Sequence, residues 1–172
     1  RMSQRGYAIA IVEYRPSETA PFPAQVVDTK AAIRFLKINA SRYRVDAQRV
    51  ALWGDSSGGH TALMAGFTGD REPDMDAYRE QSACVRCMVD WYGPTDIGKM
   101  NFYPSVQDHI GPESPEGCVI GGKNVLENPE LAEATVPMNY LERDKETPPL
   151  LIMHGGSDML VPFNQSCRLD RK

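Results

Sequence analysis

The chain has 172 residues, 41% of them hydrophobic, and a net charge of −4 from 19 Lys and Arg against 23 Asp and Glu. That length holds one domain with a real core and excludes two large ones, and the acidic balance leaves no basic footprint for nucleic acid. No apolar run approaches the roughly 20 residues of a membrane-spanning helix; the longest, around Tyr7 to Val12, is strand-sized.

Taken in chain order, the apolar segments alternate between strand-like and helix-like periods, the spacing of a parallel, helix-covered sheet. Tyr7 to Tyr14 reads as a strand. Arg15 to Pro23 is a loop with Pro16, Pro21 and Pro23, the last suited to the first turn of a helix. From Ala24 to Ala40 the helical spacing of Val26, Ile33 and Leu36 predicts a helix, with Asp28, Lys30, Arg34 and Lys37 on its opposite side. Arg49 to Trp53 has the β-rich composition of a buried strand. Ser57 to Phe67 is a helix of small residues (Gly58, Gly59, Ala62, Ala65, Gly66) that suits tight packing on a sheet.

Beyond it, Gly69 to Gln81 is charged and reads as a solvated connection. Cys84 to Trp91 is the next strand. Its Cys84 and Cys87 form C-x-x-C, but no second Cys or His pair stands at ligand spacing, so the pair reads as core thiols rather than a metal site. Met100 to Lys123 lacks any period. With its flanks, about 97–127, it forms a cap-like excursion within a single domain spanning 1–172. A short helix follows around Asn128 to Ala134. Pro149 to Met153 is the last strand and breaks into His154-Gly155-Gly156-Ser157-Asp158.

Between the Arg49 strand and its following helix, Gly54-Asp55-Ser56-Ser57-Gly58 fits G-x-S-x-G, the nucleophile elbow that exposes a serine oxygen at a strand-to-helix bend. Only Ser56 is flanked by glycines in the right register, and the two glycines let the backbone cross itself. A serine hydroxyl is a poor nucleophile until a base takes its proton and an acid orients that base. In elbow-bearing folds the order is Ser, Asp or Glu, then His. Asp158 stands where the acid belongs, in a bend past a buried strand two crossovers after Ser56. Asp96, past the preceding strand, is its rival, and Asp55 reads as structural. Of three histidines, His60 lies inside the elbow helix, His109 reads as a solvated loop residue, and His154 as a brace for the Asp158 bend. None follows Asp158, so the base is missing. Trp91, Tyr92, Phe102 and Tyr103 could line a pocket for an aromatic or sugar ring, packing being the alternative for Trp91.

These residues resemble a family. Gly6-Tyr7 through Tyr14-Arg15-Pro16, Ala20-Pro21-Phe22-Pro23-Ala24-Gln25, Trp53 to His60, Trp91 to Asp96, Asn128-Pro129-Glu130-Leu131, and His154 through Asp158 to Pro162 look like α/β-hydrolase esterases of the hormone-sensitive-lipase and bacterial feruloyl or acetyl-xylan-esterase type. The resemblance implies an α/β-hydrolase fold with an incomplete, mostly parallel sheet flanked by helices. It implies a carboxylic-ester hydrolase working through an acyl-enzyme, with Ser56 as nucleophile, Asp158 as acid and the Ser57 backbone N–H as an oxyanion donor. The substrate would be a small-molecule ester, an acylated carbohydrate among the candidates, with no cofactor, metal or nucleic acid involved.

In that family a His-Gly-Gly oxyanion loop precedes the Tyr7 strand and the catalytic His follows Asp158. Both are expected outside the chain, making it an internal fragment, inactive by itself. The family's sheet order also puts a further strand between those at Tyr7 and Arg49. Without it, unpaired apolar edges are expected, and a chain that folds poorly alone. Same-fold alternatives are a serine peptidase of the prolyl-oligopeptidase kind and an arylformamidase; a non-catalytic binding module is the alternative of another class.

Overall fold

A computed structural model describes residues 2–75, 77–142 and 147–172. Its centre is a three-stranded parallel sheet of β1 (Ala51–Asp55), β2 (Cys87–Trp91) and β3 (Leu150–Met153), in that spatial order. Ala51 stands beside Cys87, and Met88 beside Leu150. Parallel neighbours need crossovers. The first is α3 (Ser57–Thr68), preceded in the chain by α1 (Ala24–Ile38) and α2 (Ala40–Tyr43). The second carries α4 (Pro115–Val119) and α5 (Pro129–Ala134), and α6 (Asn164–Asp170) follows β3.

The small residues of α3 do what their size allows: a Cβ at Gly66 would collide with the Met88 side chain, so the helix lies directly on β2. Leu63 and Phe67 of α3, Ile33 of α1, Met88 of β2, and Val136 and Leu169 join in the main core. Val26 of α1 packs with Met64 and Ala65 on the other side of α3. The excursion carries its own small cluster of Ile97, Met100, Ile120, Val125 and Ala132.

The opposite face of the sheet is bare among the described residues. Trp53, Leu151 and Met153 are 46%, 55% and 50% exposed, although parallel sheets are ordinarily covered on both faces. The strand expected over Tyr7 to Tyr14 does not form. The segment has no regular secondary structure and pairs with none of the described strands, and Ile9 and Ile11 are exposed.

Lys30 and Arg34, on the side of α1 opposite its apolar positions, are buried, because segments 69–75 and 77–82 of the connection fold back over α1. Lys30 Nζ donates to the carbonyls of Arg71 and Pro73 at 2.7 and 2.8 Å, and Arg34 holds both oxygens of Asp74 at 2.7 and 2.6 Å. Burial pushes the Lys30 ammonium down to about 8. The same connection turns Cys84 to the surface, Sγ 3.6 Å from Asp70 Oδ2, so it is not a core thiol. Among the described residues no group of His, Cys, Asp or Glu could hold a metal ion.

Candidate active site

The ladder continues past the strands and sets the level of the site. Ser56 N–H donates to the Trp91 carbonyl at 2.9 Å, and Tyr92 N–H to the Met153 carbonyl at 2.9 Å. Ser56, Tyr92 and His154 therefore share one edge of the sheet, where the strands end and loops converge.

Ser56 sits between β1 and α3 at φ 50° and ψ −124°. A non-glycine residue there costs on the order of 1–3 kcal/mol and persists only when its surroundings enforce it. The enforcement is visible: the Trp91 bond before the turn, the His60 N–H donating to the Ser56 carbonyl at 3.1 Å, and the close crossing of Gly54 over Gly58. Only one of the two motif glycines is demanded by that crossing. A Cβ at Gly54 would fall on the Gly58 carbonyl, whereas one at Gly58 would meet nothing nearer than the Tyr14 hydroxyl at 3.9 Å.

Ser57 begins α3, so its amide has no partner within the helix, and the positive end of the helix dipole adds to its attraction for an anion. Its hydroxyl is 3.3 Å from that of Tyr14. Beside it, Tyr14, Phe22, Gln25, Ser57, His60 and Cys118 line much of a cavity of about 260 Å³.

Asp158 lies in the bend after β3, partly exposed. Its Oδ1 accepts the N–H groups of Leu160 and Val161 at 2.8 and 3.0 Å. Its Oδ2 lies 3.7 Å from His154 Nε2. His154 is a brace, as expected: Nε2 donates to the Val161 carbonyl at 2.9 Å and Nδ1 accepts from the Ser166 hydroxyl at 2.7 Å. Both ring nitrogens are engaged away from Ser56. The rival Asp96 is 4% exposed and paired with Arg168 at 2.6 Å and Lys99 at 3.1 Å, so its charge is already spent.

The other histidines point elsewhere too. His60 Nε2 donates to the Thr135 carbonyl at 2.7 Å, and burial pushes its pKa down, keeping the ring neutral. His109, expected in solvent, is 1% exposed. Its Nδ1 lies 3.0 Å from Glu116 Oε2, and its Nε2 is 2.8 Å from Ser105 Oγ. The excursion folds on its own apolar cluster and carries the ring inward. Among the described residues, no histidine hydrogen-bonds to Ser56.

The aromatic candidates divide. Trp91 packs edge-on against Trp53 at 4.8 Å on the bare sheet face. Tyr92, at φ 46°, donates its hydroxyl to Asp55 Oδ2 at 3.2 Å, and its ring meets that of His154 at 6.2 Å. Neither lines the cavity beside Ser57. Phe102 and Tyr103 are exposed.

Two buried groups escaped the sequence reading. Asp90 of β2 is fully buried; Oδ1 accepts the Gly93 N–H at 3.0 Å, Oδ2 has no hydrogen-bond partner among the described residues, and burial pushes the carboxyl up to about 6. Gln165 of α6 is also fully buried and accepts the N–H groups of Thr95 and Asp96 at 2.8 and 2.7 Å. A lone Asp within an apolar strand was a visible signal; Gln165 gave none, its helix being short and polar.

A parallel sheet crossed by helices, a strained serine in a strand–turn–helix and an aspartate past a later strand define the α/β-hydrolase class. Comparison with known proteins narrows that class: the chain belongs to the BD-FAE family, whose model matches residues 1–172. It is 27% identical to the esterase LipQ and 25% identical to the esterase LipC, both of Mycobacterium tuberculosis, each alignment covering 96% of this chain. It spans only 38% and 40% of the lengths of those two relatives. Among solved structures it resembles a truncated carbohydrate esterase from gut microbiota, with a TM-score of 0.81 and 34% identity over 92% of this chain and 58% of that one. A bifunctional GH43-CE protein of Bacteroides eggerthii gives a TM-score of 0.81 and 32% identity, covering 91% of this chain and 23% of that one.

Proposed function

We propose that the full-length protein carrying this chain is a carboxylic-ester hydrolase that works through an acyl-enzyme. Ser56 Oγ attacks the ester carbonyl, giving its proton to an imidazole base; the alcohol leaves with that proton, and water releases the acid by the same route in reverse. The Ser57 N–H at the head of α3 supplies one donor to the oxyanion. Asp158 orients the base through Oδ2, since Oδ1 is already satisfied by two amides. A histidine of the full-length protein outside these 172 residues supplies the base, since His60, His109 and His154 are otherwise engaged.

The observation that carries the reading is Ser56 held at φ 50° on the same sheet edge as the Asp158 bend. A binding module has no use for such strain. Tyr92, whose hydroxyl rests on Asp55 next to the nucleophile, is the substrate-facing aromatic of this proposal; Trp91 is assigned to packing on Trp53. The carbohydrate-esterase neighbour at 34% identity supports a small acylated carbohydrate as substrate.

The test is hydrolysis of p-nitrophenyl acetate and of acetylated and feruloylated sugars by the full-length protein. Ser56→Ala is expected to lower kcat on the order of 10⁶-fold with the fold intact. Turnover that survives Ser56→Ala, or cleavage of peptides in preference to esters, would reject the assignment.

A further inference from the structure

The excursion meets the acid loop twice among the described residues: Val161 packs against its apolar cluster, and Ser105 hydrogen-bonds to the loop's carbonyls. Ser105 Oγ lies 3.0 Å from the Met159 carbonyl and 3.2 Å from that of Leu160, and the Val106 N–H adds a bond to Met159 O at 2.8 Å. The peptide units involved are the two that hold Asp158. Met159 C=O and Leu160 N–H belong to one plane, Leu160 C=O and Val161 N–H to the next. Each plane offers its carbonyl to Ser105 on one side and its N–H to Asp158 Oδ1 on the other. Fixing the carbonyls therefore fixes the donors that hold the carboxylate.

Ser105 is held in turn. Carbonyls only accept, so its single proton goes to them, and its oxygen accepts from the Gln107 N–H at 3.2 Å and from His109 Nε2–H at 2.8 Å. Behind the ring, Glu116 Oε2 stands 3.0 Å from Nδ1, a close contact outside hydrogen-bond geometry that backs the ring sterically and electrostatically. Glu116 is set by α4, where Ser114 Oγ caps the Gly117 N–H at 3.0 Å and Pro115 occupies the first turn. His109 and Glu116 are 1% and 7% exposed, which is expensive for two titratable groups unless their pairing is used.

We infer that His109, backed by Glu116 and acting through Ser105, is a positioning residue for Asp158: the row Glu116–His109–Ser105 fixes the two peptide planes that lock Asp158 Oδ1 and leave Oδ2 for the base. This rests on the esterase reading above for its kinetic consequence, but not for its structural one. Misplacing a catalytic group by an ångström can cost on the order of 10²-fold.

The experiment uses the full-length protein with Ser105→Ala, Ser105→Thr, His109→Leu and His109→Gln. Ser105→Ala and His109→Leu are expected to lower kcat about 10- to 100-fold with KM within about twofold, and to speed amide exchange at Leu160 and Val161 selectively. Ser105→Thr keeps the hydroxyl and His109→Gln keeps an N–H donor, and both are expected to restore most of kcat. Unchanged kcat and unchanged exchange in Ser105→Ala would overturn the inference. So would exchange rising across the whole sheet, which marks a merely structural loss. Should His109→Leu fail to fold, the half-buried Ser105 carries the test alone. If the wild-type protein shows no Ser56-dependent hydrolysis, the esterase reading fails, and exchange at Leu160 and Val161 still decides the positioning row.

Discussion

At the scale of single residues, Asp90 shows how a buried group makes stability depend on pH. It lies under the elbow with one oxygen on Gly93 and the other without a partner among the described residues, and burial raises its pKa from the ordinary 3.8 to about 6. The folded chain therefore holds this proton more tightly than the unfolded one. The stability this confers is fully present below about pH 4 and is lost as pH rises through about 6, a change on the order of 3 kcal/mol at about 1.4 kcal/mol per pH unit. Asp90→Asn keeps a carbonyl for Gly93 and removes the titration. In denaturant unfolding of the full-length protein, the stability difference between Asp90→Asn and wild type is expected to move in favour of the variant from pH 4 to pH 7. A difference that stays flat across that range would place the titration elsewhere.

At the scale of elements, the attachment of α1 to the 69–82 connection is ionic. Arg34 and Asp74 have side chains 2% and 1% exposed, whereas Asp70, the second carboxylate on Arg34 at 3.2 Å, is 47% exposed. Asp74 draws its charge stabilisation from Arg34, which with the Met75 N–H holds its carboxyl low against the cost of burial. Removing one partner of a buried pair leaves an uncompensated charge. Asp74→Ala is therefore expected to cost about 3–5 kcal/mol, and Asp70→Ala no more than about 1 kcal/mol. Equal effects on unfolding would show that the connection, not the buried pair, is what matters. The helical period identified α1 correctly and put Lys30 and Arg34 opposite its apolar positions, but periodicity reports a helix's faces and not which loop later covers them.

At the scale of the whole molecule, apolar surface is out of balance. One face of the sheet shows Trp53, Leu151 and Met153, and the unpaired 7–14 segment shows Tyr7, Ile9 and Ile11. Contiguous apolar surface of this kind calls for a cover, and the free edge of β1 for a neighbouring strand. The 172-residue chain produced alone is expected to bind an apolar dye such as ANS strongly, to unfold without a sharp cooperative transition, and to hydrolyse p-nitrophenyl acetate no faster than its Ser56→Ala variant. A soluble monomer with a sharp thermal transition would contradict this, as would Ser56-dependent turnover.

The sequence by itself determined the strand–turn–helix around Ser56, the three helix-linked parallel strands and the position of Asp158. These depend on patterns a few residues long, where glycine sterics and side-chain period act locally. It also set the roles of His60 and His154 as packing and bracing groups, since their short distance along the chain from Ser56 and Asp158 limits where they can reach. Tertiary structure alone decided the rest. His109 moved from solvent to a buried contact with Glu116, Cys84 moved outward, and the Tyr7 segment stayed unpaired. Each of these depends on which distant segment arrives next to it, and neither residue type nor local period encodes that. The link from Ser105 to Asp158 is of the same kind: it joins loops more than fifty residues apart in sequence through peptide planes that no motif records.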